Sequence, residues 1–101
     1  MIFCVIHSDA ITEKEITHDL QINDLINCYI CPSCVFSHLE ENKIEVEDLQ
    51  ELHFDLLSCV DKLIVVGEIS KEMQPKIEFA KLVKMEVVRL GENGELQPFT
   101  K

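Results

Sequence analysis

The stretch Lys62-Leu-Ile-Val-Val-Gly67 most narrows what this chain can become. Its apolar residues follow one another without a polar alternate, so neither face of a strand built from them can be left to water. That pattern suits a central parallel strand covered on both sides, with the terminal glycine closing the run. Parallel neighbours cannot be joined by hairpins, so the segments around it must include crossover helices.

The remaining periodicities supply them. Ile2 to Ile6 is a second continuous apolar run, read as a first strand and broken by His7-Ser8-Asp9. Thr12-Glu13-Lys14-Glu15 has the form of a capping box and predicts a helix over Glu13 to Ile26, with Ile16, Leu20, Ile22, Leu25 and Ile26 as its apolar side. Cys28 to Cys31 reads as a short second strand ended by Pro32. The segment from Val35 to Asn42 fits neither period. Val46, Leu49, Leu52, Leu56 and Leu57 mark a second helix from Glu45 to Cys59. Pro75 suits a first helical position, so a third helix is placed from there, with Ile77, Ala80 and Val83 beside Phe79 and Leu82. Glu86 to Leu90 is a fourth strand. Asn93-Gly94 signals a turn that brings Glu95 to Phe99 back as a short edge strand.

The resulting order, β-α-β-α-β-α-β with an added strand, predicts an α/β fold: a flavodoxin-like or Rossmann-like three-layer sandwich around a four- to five-stranded parallel sheet. A chain of 101 residues with three glycines and three prolines is read as one domain, 1–101, with a single core. Ligands of such folds lie outside the carboxyl ends of the strands. The candidate ligand-binding residues are therefore His7, Ser8 and Asp9 after the first strand, Ser33 after the second, and Gly67, Glu68, Ser70, Lys71 and Lys76 around the third.

Charge excludes some partners. Nine basic residues against nineteen acidic ones leave a formal charge of −10, which repels a phosphodiester backbone, so nucleic acid is not expected. The basic residues Lys71, Lys76, Lys81 and Lys84 are interleaved with Glu72, Glu78 and Glu86. No apolar run approaches the ~20 residues a membrane span needs, and the apolar start Met1 to Ile6 lacks a basic leader. A membrane partner is not expected, and a cytoplasmic setting is.

Five cysteines, with no leader before them, are read as free thiols in a reducing compartment. Cys28, Cys31, Cys34 and His38 have the spacing of a zinc site. Residues three apart on a strand point to opposite faces, so Cys28 and Cys31 cannot share an ion, and no metal is assigned. Cys31-Pro-Ser-Cys34 is a C-x-x-C sequence with nothing basic beside it, which argues against an activated thiolate. Small buried hydrophobes is the reading kept for these residues. His53 is placed on the rim of the second helix. No Ser-His-Asp order assembles, so catalytic residues stay unassigned. Ser70-Lys71-Glu72 is compatible with a helix cap and with an anion site, because the same free amides serve both.

Asp61 leading into an apolar strand, then Ser70, Met73, Ile77, Ala80 and a final hydrophobic strand at Val87-Val88, resembles the second half of nucleoside 2-deoxyribosyltransferase-like domains, closest to their small bacterial and phage branch. Pro32 and Phe36 resemble the Pro-x-x-x-Phe segment of that family. The likeness covers about 60 residues well and the first 30 by topology alone. It implies a crevice for a nucleoside or nucleotide as small-molecule partner, no further cofactor, and homo-oligomers in which a neighbouring chain helps close the site. Active members attack the anomeric carbon with a helix glutamate. This chain has Lys76 there, and Glu72 where the family has glycine. The expectation is a binding domain without transferase activity. Two alternatives stay open: an active deoxyribosyltransferase or N-glycosidase with a relocated carboxylate at Glu68, Glu72 or Glu78, and an acidic protein-interaction module.

Overall fold

The computed structural model describes residues 1–33 and 54–99. Five strands form one sheet: β1 (Ile2–Ile6), β2 (Cys28–Ile30), β3 (Lys62–Val65), β4 (Glu86–Leu90) and β5 (Leu96–Pro98). Their order is β2-β1-β3-β4-β5, with the first four parallel and β5 antiparallel to β4. Two helices accompany them, α1 (Ala10–Asn23) and α2 (Gln74–Leu82), and residues 54–58 are also helical. The α/β class and the mostly parallel sheet agree with the periodicities.

Alternation along the two central strands divides the core. Cys4, Ile6, Leu63 and Val65 face one side, where Leu57, Met73, Ile77 and Ala80 cover them. Phe3, Val5, Ile64 and Val66 face the other, against Ile16 and Leu20 of α1. Burying a side chain of this size is worth about 1.5–3 kcal/mol, so both layers are needed to hold β1 and β3 at the centre.

The helix boundaries differ from the sequence expectation. Asp9, not Thr12, caps α1: its carboxylate accepts the Thr12 amide at 3.0 Å and the Thr12 hydroxyl at 2.6 Å. The helix therefore begins three positions before Glu13. It ends at Asn23, because Asp24 turns its carboxylate onto the amides of Ile26 and Asn27 and so offers the chain a tight turn instead. The buried line of α1 then starts at Glu13 and runs through Ile16, Thr17 and Leu20, while Ile22, Leu25 and Ile26 stand in solvent. On α2, Pro75 sits in the first turn as anticipated, and Ile77 and Ala80 are buried, but Leu82 and Val83 are exposed. Expectations for Val35 to Asn42, for most of the second helix, and for Cys34, Phe36, His38 and His53 lie outside the described residues.

The end of α2 carries a testable strain. The Met85 amide bonds the Ala80 carbonyl at 2.8 Å and the Lys84 amide bonds the Lys81 carbonyl at 3.1 Å, a Schellman closure. It requires a left-handed residue, and Lys84 holds φ 60° in the place glycine normally takes. Lys84→Gly is expected to stabilise the fold by about 1 kcal/mol and raise the melting temperature by roughly 4–8 °C. A lower melting temperature than wild type would refute that closure.

Candidate functional site

In this strand order β2 lies on one side of β1 and β3 on the other, so the direction of strand succession reverses between β1 and β3. His7 follows the first of these strands and Gly67 closes the second. Gly67 has φ +73°, and a Cβ built on it would lie 3.1 Å from His7 Nε2, so the imidazole rests against the glycine backbone. His7 Nδ1 accepts the Asp9 amide at 2.9 Å. That bond puts the neutral ring's proton on Nε2, the nitrogen facing Gly67.

Beneath His7 lies a group that motif reading did not nominate. Glu13 is 2% exposed, and its carboxylate ties two strand ends together. Oε2 accepts the His7 amide at 2.9 Å. Oε1 accepts the Ser33 amide at 3.0 Å and the Ser33 hydroxyl at 2.7 Å. A buried carboxylate is tolerated only with such partners. Its charge is felt at the Cys4 thiol, which is pushed up to about 12, first by burial and then by Glu13, with the Lys76 ammonium pulling the other way. That thiol is neutral at physiological pH. Cys31, just past the end of β2, is buried as a small hydrophobe would be, whereas Cys28 at the start of β2 is exposed, against that expectation.

The predicted site residues separate into two groups. His7, Gly67, Glu68, Ser70 and Lys76 stay close to the carboxyl edge, and Ser8 and Lys71 are exposed there. Asp9 and Ser33 are used inside the fold, one capping α1 and the other held by Glu13; the Thr12 hydroxyl and amide keep the Asp9 carboxyl below its usual range. The Ser70 hydroxyl oxygen is buried and meets no partner of good hydrogen-bond geometry among the described residues. It nevertheless lies near enough to Glu72 to help hold that carboxyl below its usual range, after the residue's own backbone amide and ahead of Lys71 and Lys76.

A cavity of about 570 Å³ opens beside Gly67 and Glu68, at the carboxyl ends of β3 and β4. Arg89, Glu92, Asn93 and Gln97 supply its polar lining, and Arg89 stacks its guanidinium 5.5 Å from the Phe99 ring centre. Ligand pockets commonly measure about 300–1,000 Å³, and this open cleft lies within that range. Arg89, Asn93 and Gln97 were not nominated from sequence. The signal was the Asn93-Gly94 turn, which folds β5 back along β4 and so builds the far wall. Among the described residues no group of three or more His, Cys, Asp or Glu could hold a metal ion, and no helix is long and apolar enough to cross a membrane. Comparison with protein-family models, curated proteins and solved structures finds no match.

Proposed function

We propose that this domain binds a small nucleoside, nucleotide or sugar phosphate at the carboxyl edge of its sheet, without transferase chemistry. The observation that carries the reading is the pairing of His7 with a left-handed Gly67 where the strand order reverses, beside an open cavity. Lys71 and Lys76 are close enough to Glu72 to lower its pKa, so positive charge gathers at the start of α2, where an anionic group can recruit it. The first turn of α2 contains no acidic residue. The resemblance to nucleoside 2-deoxyribosyltransferase-like domains points to the same edge, and Lys76 in the nucleophile's place argues for binding alone.

The test is thermal melting with nucleosides and their mono- and diphosphates, on wild type, Lys71→Ala and Lys76→Glu. A ligand at ~100 times its dissociation constant stabilises by about 2.7 kcal/mol. The wild type is expected to respond and the lysine variants to respond less, most of all to the phosphorylated compounds. If no compound raises the wild-type melting temperature, the reading fails. Glu68 lines the cavity, and it therefore carries the enzymatic alternative. Base exchange between a deoxynucleoside and a free base, abolished by Glu68→Gln, would establish that alternative instead.

A further inference from the structure

The cavity beside Gly67 reaches across β3, β4 and β5, and strand register decides which side chains can meet in it. Arg89 of β4 pairs with Val65 on one side and Gln97 on the other, so the three share one face of the sheet. On that face the Arg89 guanidinium rests 5.5 Å from the ring centre of Phe99, whose amide bonds the Val87 carbonyl. Gln97 lies instead over Gly91, where a Cβ would meet its Nε2 at 3.0 Å. The two neighbours lean opposite ways along β4 and leave a gap between them. Glu68 enters from the loop after β3, and Glu92 and Asn93 from the turn after β4. Among the described residues no hydrogen bond or ion pair engages the side chains of Glu68, Arg89, Asn93 or Gln97. The cavity therefore presents a fork of donors, a carboxylate and two carboxamides with their bonding capacity unused.

Charge decides which end of a ligand enters. One guanidinium against the carboxylates of Glu68 and Glu92 leaves the lining net negative, which disfavours a phosphate inside. With the anionic end at Lys71 and Lys76, the cavity receives the neutral end. We propose that it is a guanine subsite, in which the Arg89 fork donates to O6 and N7 and the Glu68 carboxylate accepts from N1–H and the exocyclic amine. The inference rests on the nucleotide-binding function proposed above. A planar guanidinium matches two acceptors in one plane, the pairing by which arginine most often reads guanine in duplex DNA. Adenine carries an amine in place of O6 and lacks the N1 proton, so it meets Arg89 donor to donor and leaves the carboxylate unpaired. Ribose hydroxyls offer no such pair of coplanar acceptors.

Isothermal titration calorimetry with guanosine, inosine and adenosine monophosphates and with ribose 5-phosphate tests the subsite. Guanosine monophosphate is expected to bind at least ~tenfold more tightly than the others, with inosine monophosphate second because it lacks only the exocyclic amine. Glu68→Gln and Arg89→Lys should each cost at least ~tenfold in affinity for guanosine monophosphate and less than about twofold for adenosine monophosphate. Both side chains are exposed, so these variants should melt with the wild type. If no compound binds, the nucleotide-binding function falls and the subsite with it. If nucleotides bind but adenosine monophosphate or ribose 5-phosphate matches guanosine monophosphate, or if the two variants weaken every nucleotide alike, nucleotide binding stands and the guanine subsite is overturned.

Discussion

Replacing Glu13 with alanine is expected to destabilise the fold by about 4 kcal/mol, lowering the melting temperature by roughly 20 °C. The carboxylate accepts two backbone amides and one hydroxyl at a position closed to water, so alanine strands all three donors without a substitute. Each bond to a charged acceptor is worth about 1.5–3 kcal/mol, and an orphaned buried amide costs a further share of its hydration. Glu13→Gln should lose about half as much. Its carbonyl oxygen still serves Ser33, while its amide nitrogen meets the His7 N–H donor to donor. Ser33→Ala removes a single bond and should lose least, about 1 kcal/mol. Urea or thermal unfolding gives this order directly. A Glu13→Ala variant within about 1 kcal/mol of wild type would show that the clamp is not formed.

Tyr29 is expected to ionise near pH 12 instead of near 10. Burial of the phenol contributes most, followed by its 2.7 Å bond to Asp24 and by that carboxylate's charge. Tyr29 is the only tyrosine and there is no tryptophan, so the ultraviolet absorbance of the tyrosinate reads this one group. Asp24→Asn should bring the midpoint down toward 10 while leaving it above, because burial remains. Stability follows the same shift. The folded state binds its phenolic proton more tightly, so the contribution is complete below pH 10 and is lost as pH rises through about 12. Asp24 acts at the other limit. Its carboxyl is lowered to about 2 by the Asn27 amide group first and the Tyr29 hydroxyl second, so its contribution is present above 3.8 and lost as pH falls through about 2. A wild-type midpoint at about 10, unmoved by Asp24→Asn, would refute the pair.

Much of the fold was legible because its signals are local. The apolar runs of β1 and β3, Pro75 in the first turn of α2 and the Asn93-Gly94 turn each declare an element within a few residues. The start of α1 differs from the sequence expectation because Asp9 and Thr12 are both good caps, and a carboxylate and a hydroxyl three residues apart do not show from sequence which of them will accept the free amides. The candidate site was legible only as an edge. His7, Gly67 and Glu68 follow from the rule for parallel sheets, but the Glu13 clamp and the Arg89 wall join residues far apart in the chain. Glu13 did leave a trace: it opens the i, i+3, i+4, i+7 line completed by Ile16, Thr17 and Leu20. A glutamate on that line has to be buried and therefore partnered.

The sequence by itself determined that this chain would be an acidic α/β domain with β1 and β3 covered on both faces, since apolar runs without polar alternates admit no other burial. Only the tertiary structure decided that the returning β5 would wall a cavity, that Glu13 would tie the ends of β1 and β2, and that Leu25 and Ile26 would face water. Each of these depends on which distant group satisfies a given amide, carboxylate or apolar side chain. That choice is made by the sum of long-range contacts, and no window of neighbouring residues contains it.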